Sequence, residues 1–320
     1  MLINTLAVLI GLALLTYGAD RFVIGASSVG AKLGMSPLII GLTIVAFATS
    51  VPEMLVAGVA AWGGKTGLAI GNAVGSNITN IALVLGATAF VSPLLVHSGT
   101  IKREFPMMFA ALFLAYALLW DGLLSRLDGS ILLVSMFLMI MVTVFLGKKS
   151  SVFDPVKIDF EEELENDLTT NAAVFWLILG SVLLFAGSQA LVKGASNIAQ
   201  FWGVSDLIIG LTIVAIGTSL PELAASLMSA IKGEQDMALG NIIGSNMFNM
   251  LGVLSVPGLI HPAKVDGEVL TRDFPIMLFL SILMFFMSYG FRKAGKITKL
   301  HGAILLVAFA IYQFVLFRSG

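Results

Sequence analysis

The sequence predicts an all-α polytopic membrane protein of ten transmembrane helices, arranged as two inverted five-helix repeats. Three observations predict this fold: an apolar composition, ten separate apolar runs, and an internal repeat at a fixed offset. Of the 320 residues, 58% are hydrophobic and only 12% are charged, whereas a soluble domain carries about 25% charged residues. The runs recur along the whole chain and leave no room for a separate soluble domain.

Each run is long enough to cross a bilayer, which takes about 20 helical residues. The predicted spans are 2–29, 36–61, 66–91, 103–120, 128–147, 172–198, 205–230, 236–259, 273–290 and 299–317. The first run lacks a basic start and a small-residue cleavage site, so we expect a retained helix and not a signal peptide.

The internal repeat is specific. Leu38–Ala46 and Leu207–Ala215 both read LIIGLTIVA, at an offset of 169 residues. The same offset aligns GNAVGSNITN at Gly71–Asn80 with GNIIGSNMFN at Gly240–Asn249. Five predicted helices separate equivalent positions, so the second copy would enter the membrane from the opposite side.

The repeat divides the chain into two predicted units. Residues 1–149 form the first, with its α1 motif at about 36–86, and residues 171–320 form the second, with its α2 motif at about 205–255. Residues 150–170 form an acidic linker, which we interpret as solvated chain, with attraction of divalent cations as the alternative. Lys and Arg are more frequent in the odd-numbered loops, which predicts a cell-membrane protein with both termini extracytoplasmic.

Two glutamates lie inside predicted spans at equivalent positions of the repeat, Glu53 and Glu222. A charged carboxylate at a helix centre costs about 2.5–3.5 kcal/mol on insertion scales. No Lys or Arg lies in the middle of a span to neutralise either glutamate, so a mobile cation is the expected partner. Proline precedes each glutamate, at Pro52 and Pro221, and disrupts the main-chain hydrogen bonding of the preceding turn.

Further oxygen atoms surround each glutamate. Hydroxyl groups come from Thr49, Ser50, Thr218 and Ser219, and freed carbonyls are expected at Ala46–Ala48 and Ala215–Gly217. In the next span of each half, Asn80 and Asn249 offer amide oxygens, while Asn72, Asn77, Asn241 and Asn246 are candidates for bracing the helices. The GxxxG pairs Gly71 with Gly75 and Gly240 with Gly244 favour close helix packing and support of the helix breaks.

All of these candidate ligands are oxygen atoms. Ca2+ takes about 6–8 oxygen ligands, and Na+ accepts the same groups, whereas a transition metal favours His or Cys. Two carboxylates would neutralise one Ca2+ ion and would leave a positive charge beside three Na+ ions. A site that alternates between these loads would exchange them electrogenically.

The motifs GLTIVAFATSVPE with GNAVGSNITN, and GLTIVAIGTSLPE with GNIIGSNMFN, resemble the paired α-repeats of the cation/Ca2+ exchanger superfamily, and within it the prokaryotic Na+/Ca2+ exchangers. The resemblance implies a secondary antiporter that exchanges Na+ for Ca2+ by alternating access, in which the first and sixth helices slide across the others. It implies Glu53 and Glu222 as the shared central ligands. The other implied ligands are Thr49, Ser50, Ser76, Asn80, Thr218, Ser219, Ser245, Asn249 and the carbonyls of Ala46 and Ala215.

Departures from the family pattern bear on the coupled ion. Asn249 is an aspartate in some archaeal exchangers and in the K+-dependent branch, so asparagine here argues against K+ co-transport. Ala48 stands where glycine is common. H+/Ca2+ exchangers of the superfamily typically carry GNxxE, and GNAVG and GNIIG lack that acid. Na+ is therefore favoured, with exchange of H+ for Ca2+, or for another divalent cation, as the alternative.

Other classes of function fit less well. The net charge of −1 and the lack of cysteine argue against a nucleic-acid surface and a thiolate site. An intramembrane hydrolase with two acids sharing a proton would be expected to carry YD and GxGD motifs, which are absent, and a passive channel does not explain the inverted repeat. The GGKT at Gly63–Thr66 has Val59 where a P-loop needs glycine. The expected partners are Ca2+, Na+ and the lipid bilayer, with no cofactor and no protein partner.

Overall fold

The computed structural model describes residues 1–150, 168–203, 213, 215–290 and 295–319. These residues are mostly helical. The helices are α1 (Leu2–Lys32), α2 (Pro37–Trp62), α3 (Thr66–Val91), α4 (Ser98–Leu118), α5 (Arg126–Ser150), α6 (Thr170–Phe201), α7 (Leu220–Ile231), α8 (Gln235–Ile260), α9 (Val269–Ser288) and α10 (Lys299–Ser319). A short helical turn, Ala215–Thr218, precedes α7.

Eight helices in the described part of the chain are long and apolar enough to cross a membrane: α1, α2, α3, α5, α6, α8, α9 and α10. The prediction of a multi-pass helical membrane protein is therefore confirmed. The predicted span 103–120 falls in α4, whose first turns carry Lys102, Arg103 and Glu104. The predicted span 205–230 begins outside the described residues, as does most of the second LIIGLTIVA segment and of the predicted acidic linker.

Four of the described helices contain a π-helical turn: Gly41–Val45 in α2, Asn80–Leu85 in α3, Asn249–Val253 in α8 and Val269–Asp273 in α9. The turns in α3 and α8 begin at the two repeat-equivalent asparagines. A π-helical turn adds a residue to the helix and redirects its main-chain carbonyls, and such turns are frequent at functional sites. The π-helical turns at these two asparagines therefore lie at matched positions of the two halves.

Helices α1 and α6 pack against each other through glycine. A Cβ atom on Gly180 would lie 2.6 Å from the main-chain N and Cα of Phe22, and one on Gly18 would lie 2.8 Å from Cβ of Leu183. The same contact contains four more glycines, which continue a spacing of seven in each helix: Gly11, Gly25, Gly187 and Gly194. Absence of side chains lets the two main chains approach closely, so α1 and α6 form one tightly packed pair.

The helices differ in how far they are buried inside the bundle. In the most apolar 18-residue window of each helix, 89% of the α8 residues are buried, against 22% for α1 and for α6. Helix α8 therefore lies at the centre of the bundle, and the α1–α6 pair lies at its side.

Two short antiparallel strand pairs connect the loops, which the all-α prediction did not include. Strand β1 (Leu94–Val96) pairs with β4 (Gly295–Ile297), with Leu94 opposite Ile297. Strand β2 (Leu123–Leu124) pairs with β3 (Ala263–Lys264). Each pair joins a loop of the first half to a loop of the second. The pairing gives the main-chain N–H and C=O groups of these loops hydrogen-bond partners.

Candidate functional site

Two carboxylates occupy the interior of the bundle. Glu53 on α2 and Glu222 on α7 are each only 1% exposed, and they lie close enough to interact electrostatically. None of their four carboxylate oxygens has a hydrogen-bond partner, and no ion pair found among the described residues reaches them. A buried charge without a partner costs several kcal/mol, so this pair of carboxylates fits a cation.

The two glutamates sit in different local structures. Pro52 lies inside the continuous α-helical part of α2, Ala46–Trp62. In the second half the helix breaks at Ser219, and a new helix begins with Pro221 and Glu222 in its first turn. Free main-chain N–H groups at a helix N-terminus favour negative charge. The break therefore gives the Glu222 carboxylate an electrostatic environment that Glu53 lacks.

Hydroxyl groups flank the carboxylates. The side chains of Thr49 and Ser50 lie against the Glu222 carboxylate, outside ordinary hydrogen-bond geometry. Ser50 and Ser219 are buried, and neither hydroxyl has a hydrogen-bond partner. Thr218 is half-buried. The structure thus places hydroxyl oxygens of the first half beside the carboxylate of the second.

The predicted asparagine ligands are buried at the π-helical turns. Asn80 is 1% exposed and Asn249 is 0% exposed, and neither amide has a hydrogen-bond partner. The turn in α3 packs against α7, and the turn in α8 packs against α2. Each half therefore brings its asparagine to the glutamate-bearing helix of the other half. Ser76 and Ser245, one helical turn earlier, are also buried.

The predicted carbonyl ligands differ in their surroundings. The carbonyl oxygen of Ala46 lies 3.3 Å from the Thr49 hydroxyl and is one of three acceptors within reach of its single proton. In the second half, Ala215 opens the turn before the helix break. The carbonyl of Gly217 in that turn accepts a hydrogen bond of 2.6 Å from the hydroxyl of Ser188 on α6, a contact that the sequence did not predict.

The two GxxxG pairs also differ. A Cβ atom on Gly240 would lie 2.9 Å from the main-chain N of Leu42, and one on Gly244 would lie 2.7 Å from the carbonyl oxygen of Leu42. These glycines let α8 approach α2 closely. Around Gly71 and Gly75 the described residues place no atom within 4 Å of such a Cβ.

Sequence reasoning missed several polar contacts of α7. Asn241 hydrogen-bonds to Ser226 on α7 (2.8 Å), and nothing in the sequence singled out that serine. Lys232 at the end of α7 forms an ion pair of 2.7 Å with Asp20 on α1. An alignment of the two halves marks Asn241 as the equivalent of Asn72, but only the folded chain shows which groups it contacts.

Comparison with known proteins identifies the family. The family model described as sodium/calcium exchanger protein matches residues 3–146 and 172–318. The chain belongs to the sodium/calcium exchanger family. The predicted resemblance is thereby confirmed, and the chain is a membrane antiporter and not an enzyme.

Full-length relatives agree with this assignment. A protein of Alkalimonas amylolytica named "Putative antiporter CaxA" is 50% identical over 319 residues, which cover 100% of both chains. The inner membrane protein YrbG of Escherichia coli is 38% identical and covers 99% of this chain and 98% of its own. The sodium/calcium exchanger MaX1 of Methanosarcina acetivorans is 31% identical, and the match covers 98% of this chain and 99% of MaX1.

A solved structure shares the fold. The sodium–calcium exchanger NCX_Mj, soaked with 2.5 mM Na+ and 1 mM Sr2+, superposes with a TM-score of 0.83 at 33% identity, and the match covers 98% of each chain. Because the match spans the whole bundle, the exchanger fold extends from the first helix of this chain to the last.

Proposed function

We propose that this protein exchanges Na+ for Ca2+ across the membrane by alternating access at one shared site. The observation that carries the proposal is the pair Glu53 and Glu222: two buried carboxylates from matched positions, with all four oxygens unpartnered. Two negative charges neutralise one Ca2+ ion. The names of MaX1 and NCX_Mj, both sodium/calcium exchangers, support the choice of ions.

The proposed site is completed by neutral oxygens. Its members are the hydroxyls of Thr49, Ser50, Ser76, Thr218, Ser219 and Ser245, the amide oxygens of Asn80 and Asn249, and the carbonyls of Ala46 and Ala215. Ca2+ accepts about 6–8 oxygen ligands in flexible geometry. The crossed packing of the two π-helical turns on α2 and α7 supports a single site built from both halves. Pro52, Pro221, Gly71, Gly75, Gly240 and Gly244 support the irregular main chain around it.

The proposed architecture is a ten-helix inverted repeat. Its units are residues 1–149 and 171–320, joined by the linker 150–170, with both termini extracytoplasmic in the cell membrane. Matched π-helical turns at Asn80 and Asn249 support the repeat. The α1–α6 pair is the element proposed to move, because it is tightly packed within itself and little buried by the rest of the bundle.

Na+ is proposed as the coupled ion in preference to H+. The segments GNAVG and GNIIG both lack the acid of the GNxxE pattern that is typical of H+/Ca2+ exchangers. Two carboxylates with neutral oxygens suit a cation that replaces Ca2+ without proton transfer. Exchange of H+ for Ca2+ is the alternative. No cofactor or protein partner is part of the proposal.

The test is 45Ca2+ uptake into proteoliposomes that contain the purified chain. Vesicles loaded with Na+ are compared with vesicles loaded with K+ and with vesicles under an imposed pH gradient. We expect uptake with the outward Na+ gradient alone. Uptake driven by the pH gradient alone would establish H+ coupling, and uptake under none of the gradients would refute Ca2+ exchange. A Glu53→Gln variant is expected to be inactive, whereas Glu268→Gln, a change on the surface, serves as the active control.

A further inference from the structure

Asn241 lies at the centre of a buried hydrogen-bond network on α8. It is 0% exposed. Its amide nitrogen donates to the main-chain oxygen of Glu222 (3.3 Å) and to the hydroxyl of Ser226 (2.8 Å). Its amide oxygen accepts from the hydroxyls of Thr49 (3.3 Å) and Ser245 (3.4 Å). One side chain therefore joins α2, α7 and α8 beside the Glu222 carboxylate.

The surroundings fix the orientation of this amide. A main-chain carbonyl can only accept a hydrogen bond, so the NH2 group of Asn241 must face the carbonyl of Glu222. The amide oxygen then faces Thr49 and Ser245, whose hydroxyls can donate. A flipped amide would place two oxygens against each other at Glu222. The oxygen of Asn241 is therefore a fixed acceptor for the Thr49 hydroxyl.

Thr49 has one proton and two competing directions for it. Its hydroxyl lies within hydrogen-bond distance of Asn241 and of the main-chain oxygens of Val45 (3.1 Å) and Ala46 (3.3 Å). The Glu222 carboxylate is also close to this hydroxyl. A hydroxyl that donates to the carboxylate points its proton at the ion, whereas one that donates away from it offers a lone pair to the ion.

We propose that Asn241 is a positioning residue for ion binding. By accepting the Thr49 proton, it turns the lone pairs of that hydroxyl toward a cation at Glu222, and by donating to the Glu222 main chain it fixes the first turn of α7. The inference rests on the proposed function. It also makes the two halves of the site unequal, because Asn72, the repeat equivalent, has a buried amide nitrogen without a hydrogen-bond partner.

The test is equilibrium binding of 45Ca2+ to the purified full-length chain in detergent. Asn241→Leu removes every polar contact at similar volume, and Ser226→Ala removes one acceptor. Ser229→Ala is the matched control, since Ser229 is equally buried on α7 and its hydroxyl has no partner. We expect the Ca2+ Kd to rise about tenfold in Asn241→Leu and about threefold in Ser226→Ala, and to stay unchanged in Ser229→Ala.

A double-mutant cycle separates positioning from general packing. If Asn241 acts partly through the Thr49 hydroxyl and partly through α7, then Asn241→Leu should raise the Kd by only about threefold, and not tenfold, once Thr49→Val is present. Fully multiplicative effects would overturn the inference, as would an unchanged Kd in Asn241→Leu and Ser226→Ala or an equal rise in Ser229→Ala. Ser226→Ala carries the test if Asn241→Leu fails to fold. No Ca2+ binding by the unaltered chain would overturn the proposed function, and this inference with it.

Discussion

Replacing Glu53 or Glu222 with glutamine should weaken the binding of one Ca2+ ion far more than the binding of one Na+ ion. Glutamine keeps the size of the side chain and one oxygen, so the change removes a charge and little else. Both positions are 1% exposed, and the described residues supply no cation to either carboxylate. The effect of the substitution therefore falls on the transported ion.

Coulomb's law gives the size of the difference. Two unit charges 4 Å apart interact by about 4 kcal/mol at an effective dielectric constant of about 20. A divalent ion loses twice as much, about 8 kcal/mol, when one carboxylate is neutralised. Glutamine also avoids the cost of burying a charge, and this gain is the same whether Ca2+ or Na+ binds. The difference between the two ions therefore stays at about 4 kcal/mol, which corresponds to roughly a thousandfold change in selectivity toward Na+.

Equilibrium binding measures this change directly. The Kd for 45Ca2+ and the Na+ concentration that displaces it are compared in the unaltered chain, Glu53→Gln and Glu222→Gln. Glu268→Gln removes the same charge from a side chain that is 62% exposed, and its selectivity should not change. Equal losses for the two ions, or a Ca2+ Kd that changes less than about threefold, would refute the assignment of the glutamates as charged ligands.

Three further predictions concern the bundle around the site. The 2.7 Å ion pair between Lys232 on α7 and Asp20 on α1 is partly exposed and is worth about 0–1 kcal/mol. If the pair holds α1 against α7, Lys232→Gln should change the accessibility of α1, measured as the labelling rate of a single cysteine placed there, by at most about fivefold. Exchange of the two charges should restore that rate. Gly180→Ala places a Cβ 2.6 Å from the α1 main chain, so it should lower the free energy of unfolding by about 1–3 kcal/mol, the usual cost of overpacking, and with it the melting temperature. The control is Gly58→Ala, whose new Cβ has its nearest contact at 3.6 Å and should leave the melting temperature unchanged. Tyr312→Phe removes a 3.1 Å hydrogen bond to a buried carboxylate on α9, so the melting temperature should fall while uptake per folded molecule stays constant.

Much of the fold could be predicted from the sequence because its determinants are local. Long apolar runs predict membrane helices from length and composition alone. The runs 2–29 and 172–198 correspond to helices α1 and α6, which extend a few residues further. The short strand pairs were missed, because two or three residues in a loop carry no periodic pattern, and their pairing depends on which loops meet in space.

Candidate ligands could be predicted from the sequence where a residue is energetically unfavourable in a membrane-spanning segment. Glu53 and Glu222 stood out because a carboxylate in an apolar run needs a partner, and the repeat doubled the signal. Ser226 and Ser188 could not be found this way, since a serine in a membrane helix costs little and commonly bonds within its own helix. Their hydrogen bonds to Asn241 and Gly217 depend on the approach of separate helices.

The sequence by itself determined the membrane helices, the repeat and the two buried carboxylates, because composition and spacing suffice for these. Only the tertiary structure decided that the second half breaks at Ser219 while α2 continues past Pro52. Both halves carry the same proline, which leaves a main-chain carbonyl of the preceding turn without its helical hydrogen bond. In the interior of the bundle such a carbonyl needs another donor. Ser188 on α6 donates to Gly217, whereas the equivalent position on α1 is Ala19, which has no side-chain donor to offer.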